Sequence, residues 1–553
     1  MKSLNRRSFL KGTALSAGAF GVLPIRSLAQ LRSSGDEIRV GVIGFKGRGQ
    51  DHLGGLSKLE NIRITGLCDA DQEVLGKEEA KWKEKGVNVE AHLDMRRLLE
   101  SKNVDVVSIA TPNHWHSLAA IWAIQAGKDV YVEKPVSHNV WEGRKLVEAA
   151  RKYNKMVQTG TQSRSSTGIA ECYAWLKEGH LGKITLARGL CYKPRPSIGK
   201  TAGPQPLPPG LDYDLWCGPA PKAPLRRKNL HYDWHWVWDT GNGDLGNQGI
   251  HQMDICRWAL GVQELSPRVL SIGGRLGYDD DGETPNTQIV YHDYAGAPLI
   301  FEVRGLPSKV GDKNMDSFRH PKAGGWMAKD RRSGEMKEIR ASVACLIHCE
   351  GGYVVVPNYN EAVAFDQEGK EVRRFTGSDN HYENFIKAVR SRKHADLNAD
   401  ILEGHLSSAL CHTGNVSYSL GKKASPDEIR EAISGNHNAS EAYGRFLDHL
   451  AANNVDLGAT PATLGIPLIM DPRTEQFTGS AASTAPTAAA AADDAPKRIK
   501  FRGTGSGALD LITPRTAQTS ASAPKAARDE WTAKANQLLT REYRKPYVVP
   551  ERV

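Results

Sequence analysis

The sequence has no CxxC pair, no apolar run long enough to span a bilayer and no internal repeat in its 553 residues. The first absence removes zinc ribbons and thioredoxin-like motifs, which need thiols paired at short spacing. Most of the eight cysteines sit in apolar runs, where a thiol behaves as a small buried hydrophobe. A disulfide after export stays open, but its pairing is not legible. The 18 histidines form no pair at metal-site spacing beside a third ligand. His348, His381 and His412 therefore read as structural, and no metal is expected. The missing repeat excludes a solenoid or propeller. An excess of charge is also missing where it would matter. The formal net charge is +10, but five charges fall in the first thirty residues and five from Ser480 onward, which leaves the body neutral. A neutral body has little long-range attraction for a phosphate backbone, so nucleic-acid binding is not expected.

What is present begins with targeting. Asn5-Arg6-Arg7-Ser8-Phe9-Leu10-Lys11 is a twin-arginine motif, followed by a weakly apolar stretch from Gly12 to Leu23 and a small-residue cleavage site at Ser27-Leu28-Ala29. Residues 1–29 read as a signal peptide, with a periplasmic or otherwise exported destination and no membrane span after processing. Twin-arginine export carries folded proteins. That route suits an enzyme that acquires its cofactor in the cytoplasm.

From Asp36 short apolar strands alternate with helical patterns: strands at Ile38–Ile43, Ile62–Cys68, Val104–Ala110, Val130–Val132 and Met156–Gln158, helices such as Leu118–Ala126 and Trp141–Tyr153. This rhythm predicts βαβ units and a parallel sheet over 36–160. After Gly160 strand-like runs follow one another without intervening helices, at Ile184–Leu190, Gln288–His292, Leu299–Val303 and Tyr353–Val356. Helical patterns at Tyr382–Val389 and Glu403–Leu420 close the region. The expectation for 161–425 is an α+β domain on a mostly antiparallel open sheet. Residues 426–479 read as a helical extension. Residues 480–553 read as a low-complexity tail whose end, Trp531–Val549, regains enough apolar bulk to dock on the body.

The turn after the first strand carries Gly44, Lys46, Gly47, Arg48 and Gly49. Glycines there permit a tight turn that offers a helix N-terminus to a pyrophosphate. The frame is imperfect, because Lys46 holds the second glycine position. Either the loop shifts to use Gly47, or Lys46 adds a charge to the phosphate. Asp69, at the end of the second strand, fits the carboxylate that accepts ribose hydroxyls and repels a 2′-phosphate, which favours NAD over NADP. Asp71 strengthens that bias or caps the next helix.

Two later motifs carry a resemblance. Thr111-Pro112-Asn113-His114-Trp115-His116 follows the fourth strand, and Glu133-Lys134-Pro135 the fifth. Spaced in this way after a dinucleotide-binding start, they resemble the Gfo/Idh/MocA family (glucose-fructose oxidoreductase and inositol dehydrogenase) over residues 36–420. The resemblance implies an N-terminal Rossmann domain joined to the α+β domain. It implies that Thr111, Pro112, Asn113 and His116 flank the nicotinamide, that Glu133 touches its ribose, and that Lys134 stands between nicotinamide and substrate. A lysine there can stabilise a developing alkoxide. Gln162, Arg164, Tyr192 and Arg195 fall where the family lines its site, Gln162 toward the cofactor and the others toward substrate. The stretch Gly243 to Asp254 is similar to the family's glycine-rich approach to a helix with an Asp-xxx-His pair. His251 matches the histidine, and Asn247 replaces the aspartate. Asn247 can bind a hydroxyl but not take its proton, so the acid/base role falls to His251, with Asp254 in reach to orient it.

Aromatics are only 7% of the chain, yet they crowd into His231-Tyr232-Asp233-Trp234-His235-Trp236-Val237-Trp238-Asp239. Tyr232, Trp234 and Trp236 offer faces on which a sugar ring stacks. The expectation is an oxidoreductase acting on a sugar or polyol hydroxyl with tightly held NAD. An NAD-dependent glycosidase and a non-catalytic sugar-binding protein are the alternatives, and the family's open sheet face leaves room for a homo-oligomer.

Overall fold

The computed structural model describes residues 37–319, 326–329, 335–480 and 525–553. The twin-arginine segment and the stretch 481–524 lie outside the described residues. The first sheet contains β1 (Ile38–Ile43), β2 (Ile62–Cys68), β3 (Glu90–His92), β4 (Val106–Ile109), β5 (Asp129–Val132) and β6 (Val157–Thr159). Their order is β3-β2-β1-β4-β5-β6, with every pair parallel. β4 and β5 are buried along their whole length, as strands must be when helices cover both faces of a sheet. The chain leaves β1 for one edge and returns at β4 to build the other. A crevice therefore opens above β1 and β4, the place where such sheets bind ligands.

The second sheet runs through β7 (Ile184–Cys191), β8 (Arg268–Gly274), β9 (Thr287–His292) and β10 (Leu299–Arg304). After a separate hairpin of β11 (Trp326–Lys329) and β12 (Met336–Ile339), it continues in β13 (Val343–Cys349), β14 (Gly352–Asn358), β15 (Glu361–Asp366) and β16 (Glu371–Thr376). The order is β16-β15-β14-β13-β7-β10-β9-β8, mixed and mostly antiparallel, with β7 and β10 parallel. Period-two alternation divides its faces. Ala187 and Cys191 of β7 join the core beneath the helices Gly249–Leu260 and Ile401–Ser419. Leu190 and Tyr192 point the other way, into a cluster with Phe318 and Trp326.

Two stretches beyond residue 425 differ from a purely helical extension. Pro426–Ile433 and His437–Ala452 are helices. After them, β18 (Thr463–Leu464) and β19 (Leu468–Asp471) pair with β8, preceded by β17 (Lys422–Lys423) and followed by β20 (Gln476–Ser480). Strands of two to five residues are too short to display alternation in the sequence. The chain then returns through the helix Lys525–Gln537, and Tyr547, Val549 and Val553 enter the core of the first domain. All eight cysteines are buried free thiols. Among the described residues no helix is long and apolar enough to cross a membrane.

Candidate active site

At the end of β1 the backbone turns through Gly44 at φ +76. A Cβ at that position would lie 2.9 Å from the Thr111 backbone nitrogen, so no side chain fits. A Cβ on Gly49 would lie 2.0 Å from the Gly44 carbonyl oxygen. Gly49 thus packs the first turn of the helix Gly49–Leu56 onto the loop, and it is not among the residues that line the cavity. Beside Gly47, by contrast, the space is open to 4 Å. A loop that is tight against the protein and open on its other side suits a pyrophosphate laid on the helix N-terminus. Lys46 and Arg48 are exposed at its rim.

Asp69 stands across the crevice. Its carboxylate accepts from the backbone N–H of Asp71 (3.1 Å) and of Phe45 (3.3 Å). Burial pushes its carboxyl up to about 6, against those two hydrogen bonds. Asp71 caps the next helix through the N–H groups of Glu73 and Val74, and also meets His231 Nε2 at 2.8 Å.

Further along, Thr111, Pro112 and Asn113 follow β4 into the cavity wall, and the Thr111 hydroxyl is buried without a partner among the described residues. His116 is wedged between the carbonyls of Pro135 (2.6 Å) and Thr111 (2.7 Å). Glu133 at the end of β5 is buried. Its Oε1 accepts from Arg48 Nε (3.0 Å) and Gln162 Nε2 (3.4 Å) and meets His52 Nε2 at 3.2 Å. Burial opposes the Glu133 charge, yet His52, Lys134 and Arg48 hold it well below the usual carboxylate range. Lys134 follows, before a cis bond to Pro135. Its ammonium donates to the Asn247 carbonyl at 2.8 Å; burial lowers its pKa and Glu133 works the other way.

The second domain supplies the facing wall. The glycine-rich approach forms a short helix, Gly243–Asn247, and then the helix Gly249–Leu260, whose first turn carries His251. The His251 ring is buried, and burial together with the Lys134 charge brings it down to about 3. It is thus a neutral imidazole at neutral pH, and its Nδ1 has no partner among the described residues. Lys134 and His251, from separate domains, line one cavity of about 430 Å³ together with Gly44, Asp69 and Asn247.

Residues 38–161 match the oxidoreductase family Gfo/Idh/MocA, described as an NAD-binding Rossmann fold, and residues 179–310 match that family's C-terminal alpha/beta domain. Both domains of the chain thus match the Gfo/Idh/MocA family. It is 34% identical over 171 residues to a protein named glycosyl hydrolase family 109 protein 2 from Shewanella sp. strain ANA-3, covering 27% of this chain and 38% of that protein. It is 27% identical over 157 residues to an inositol 2-dehydrogenase from Salmonella typhimurium, covering 28% and 46%. The chain therefore spans less than half the length of these curated relatives. Among solved structures, an oxidoreductase domain protein from Kribbella flavida shares the fold with a TM-score of 0.50 at 17% identity, over 69% of this chain and 96% of that one.

Several side chains expected from the family pattern or from the aromatic stretch make other contacts. Arg164 forms a bidentate pair with Asp254 (2.8 Å to each oxygen) and reaches Glu403 at 3.0 Å, all away from the cavity. A buried guanidinium requires carboxylate partners, and this pairing also removes Asp254 as the orienter of His251. Tyr192 lies on the far face of the sheet and donates to Glu302 at 2.6 Å. Trp236 is buried with Arg195 over its ring, while Arg195 forms a bidentate pair with Asp244 (2.8 and 2.7 Å). Asn247 contributes its backbone carbonyl to Lys134, and its side-chain amide approaches Asp244 at 3.4 Å.

Tyr232 and Trp234 do line the cavity, joined by His235 of the same aromatic stretch and by three residues absent from the sequence analysis, Trp216, Met95 and Tyr359. His235 stacks on Trp234 at 3.6 Å, and its Nδ1 meets the Tyr232 carbonyl at 2.6 Å; burial lowers it to about 3. The aromatic cluster was a signal for His235. Tyr359 sits alone between β14 and β15, with no motif around it.

Proposed function

We propose that this chain is an exported NAD-dependent oxidoreductase that removes and returns hydride at a hydroxyl-bearing carbon of a sugar or polyol. One observation carries the reading: a lysine at a Rossmann strand end and a neutral histidine from the other domain face one cavity whose far end is a glycine turn and an acidic strand terminus. The residues fit a dinucleotide. Gly44 makes the tight turn and Gly47 leaves room for the pyrophosphate, Asp69 supplies a ribose acceptor, and the Thr111 hydroxyl is a buried group in want of a partner among the described residues. When bound, the nicotinamide accepts or returns the hydride. Lys134 holds its ammonium against the substrate oxygen and favours the developing alkoxide. His251 takes the hydroxyl proton. Tyr232 and Trp234 offer stacking faces to the sugar ring.

The same residues support a second reading, favoured by the resemblance to glycosyl hydrolase family 109 protein 2. There a transient oxidation makes the neighbouring C–H acidic, the aglycone is eliminated, water adds, and the hydride returns, so NAD is regenerated within each turnover. Export without a free pool of NAD is consistent with either chemistry only if the nucleotide stays bound. The test is to denature the purified protein and identify the released nucleotide by mass spectrometry. NAD is the expected result. A protein that releases none, and binds none when NAD is added, is a sugar-binding protein. Incubation with aryl glycosides then separates the chemistries: phenol release without net NADH supports the glycosidase, and oxidation of free sugar alone supports the oxidoreductase.

A further inference from the structure

Tyr359 projects from the turn between β14 and β15 into the same cavity as Lys134 and His251. Its ring lies 4.9 Å from the His251 ring, tilted by 39°. Its hydroxyl is 2.8 Å from Gln248 Nε2, one helical turn before His251. The orientation of that amide decides what the hydroxyl can do. Gln248 Oε1 faces the Lys193 ammonium at 3.4 Å, and an ammonium only donates. The amide oxygen therefore belongs to Lys193, and the NH₂ group donates to Tyr359. The phenol oxygen accepts there, and its own proton has no acceptor among the described residues. Burial pushes the phenol up to about 12, so it keeps that proton at neutral pH.

We infer that Tyr359 donates its phenolic hydrogen bond to an oxygen of the bound substrate beside the hydroxyl that His251 deprotonates. This rests on the reading of the cavity as an oxidoreductase site. It compensates for Asn247, where the family pattern has a carboxylate, by giving the site a second directed group. Tyr359→Phe keeps the ring against His251 and removes only the donor. Expected are a drop of about tenfold to a hundredfold in kcat/KM, unchanged nucleotide content, and a larger loss in Tyr359→Ala. Lys193→Met frees the Gln248 amide to turn over and accept from Tyr359; it should reproduce part of the Tyr359→Phe loss. Unchanged kcat/KM in Tyr359→Phe, with His251→Ala inactive, overturns the role of Tyr359 and leaves the oxidoreductase reading standing. Full activity in His251→Ala as well strikes the reading itself.

A second inference comes from the other end of the cavity and from C-terminal residues that lie beyond both family matches. The segment 210–218 lies across the nucleotide end. The Gly210 carbonyl accepts from Gln72 N–H (3.1 Å), Asp212 N–H donates to the Ala70 carbonyl (2.9 Å), and Leu215 and Trp216 form the cavity wall. The C-terminal residues fasten this cover. Arg544 donates to Asp214 Oδ1 (2.6 Å), to the Asp214 carbonyl (2.7 Å) and to the Gly218 carbonyl (3.0 Å). The Tyr547 hydroxyl adds a bond to Asp214 Oδ2 (3.0 Å), and its ring is buried against Trp115. Arg541 ties the same strap to Glu142 and to the His114 carbonyl.

The geometry points to residues 541–547 as a latch that keeps the 210–218 cover shut over the dinucleotide, so that release requires the latch to open. The full-length Arg544→Ala variant should release NADH at least tenfold faster in a fluorescence chase and exchange amide hydrogens faster over 210–218. Tyr547→Phe, which keeps the buried ring, should show a smaller change in the same direction, and Arg544→Lys a partial rescue. Wild-type release and exchange rates in both Arg544→Ala and Tyr547→Phe overturn the latch. If the wild type binds no NADH, the exchange measurement still decides whether the strap holds the cover, while the cofactor reading fails separately.

Discussion

The Gly44–Gly49 turn and the Gly243–His251 stretch both bring glycine-rich backbone to the cavity, but they treat charge in opposite ways. At the first, Lys46 and Arg48 remain exposed, and Asp69 is held only by two backbone N–H groups. At the second, Asp244 is buried and locked by Arg195, Lys134 is tied to the Asn247 carbonyl, and His251 is buried and neutral. The nucleotide end can adjust its protonation to a ligand that brings its own charges. The end proposed to be catalytic has its charges fixed beforehand, which is what stabilisation of a developing alkoxide would require, because no group must reorganise during the reaction. Removing a group should therefore damage turnover at the second end and binding at the first.

The largest expected effect is at the catalytic end. Lys134→Ala should lower kcat by about a thousandfold with nucleotide retained. His251→Ala should lower it by about a hundredfold or more. Steady-state kinetics with nucleotide content measured in parallel checks both; a variant of either residue with near-normal kcat removes that residue from the chemistry.

At the nucleotide end the effect should be smaller and should fall on affinity. Asp69→Ala should weaken NAD by roughly tenfold to a hundredfold and relax discrimination against NADP, read by titration with both nucleotides. A pH dependence follows. The Asp69 carboxyl is raised to about 6 in the folded protein, so it is a carboxylate above that pH and takes up a proton below it. Protonation removes one acceptor for the ribose hydroxyls, and NAD affinity should fall as pH drops from 7 to 5. Because the folded value lies above the unfolded one, this group favours the fold most at low pH, and that contribution is lost as pH rises through about 6. Asp69→Asn should flatten the affinity profile and raise the Tm of the nucleotide-free protein at pH 7.5. His251, neutral throughout this range, should contribute no limb of its own between pH 5 and 8.

The contrast between the ends also accounts for what could be read from the sequence. β1 and β2 are apolar runs with glycine or aspartate at their ends, and their limits in the structure are those the pattern predicts, Ile38–Ile43 and Ile62–Cys68. Gly44, Asp69, Glu133 and Lys134 sit at strand ends, where a local motif fixes position, and all four line the cavity. β3 is a three-residue Glu-Ala-His strand, half-buried throughout, with no pattern to display. Tyr359 is one tyrosine in a hairpin turn, brought to His251 only by tertiary pairing of β13 with β7. Arg164 misled for a related reason. Its place along the chain is legible, but the direction of its side chain is decided by Asp254 and Glu403, which lie 90 and 239 residues away in sequence.

Tyr192 gives the smallest expected effect on turnover and the sharpest check on where the site ends. Its hydroxyl donates to the buried Glu302 at 2.6 Å, on the face of the second sheet away from His251. Glu302 is also paired with Arg188, Arg304 and Arg445, and these guanidiniums hold its carboxyl down at about 2 despite its burial. A hydrogen bond to a buried charge of this kind is worth roughly 1.5–3 kcal/mol. Tyr192→Phe should therefore lower stability by up to that amount in denaturant unfolding while kcat/KM stays within about twofold. A large loss of kcat/KM with unchanged stability would instead return Tyr192 to the substrate wall, and would mean that alternation along β7 does not separate the two faces as Leu190 and Cys191 indicate.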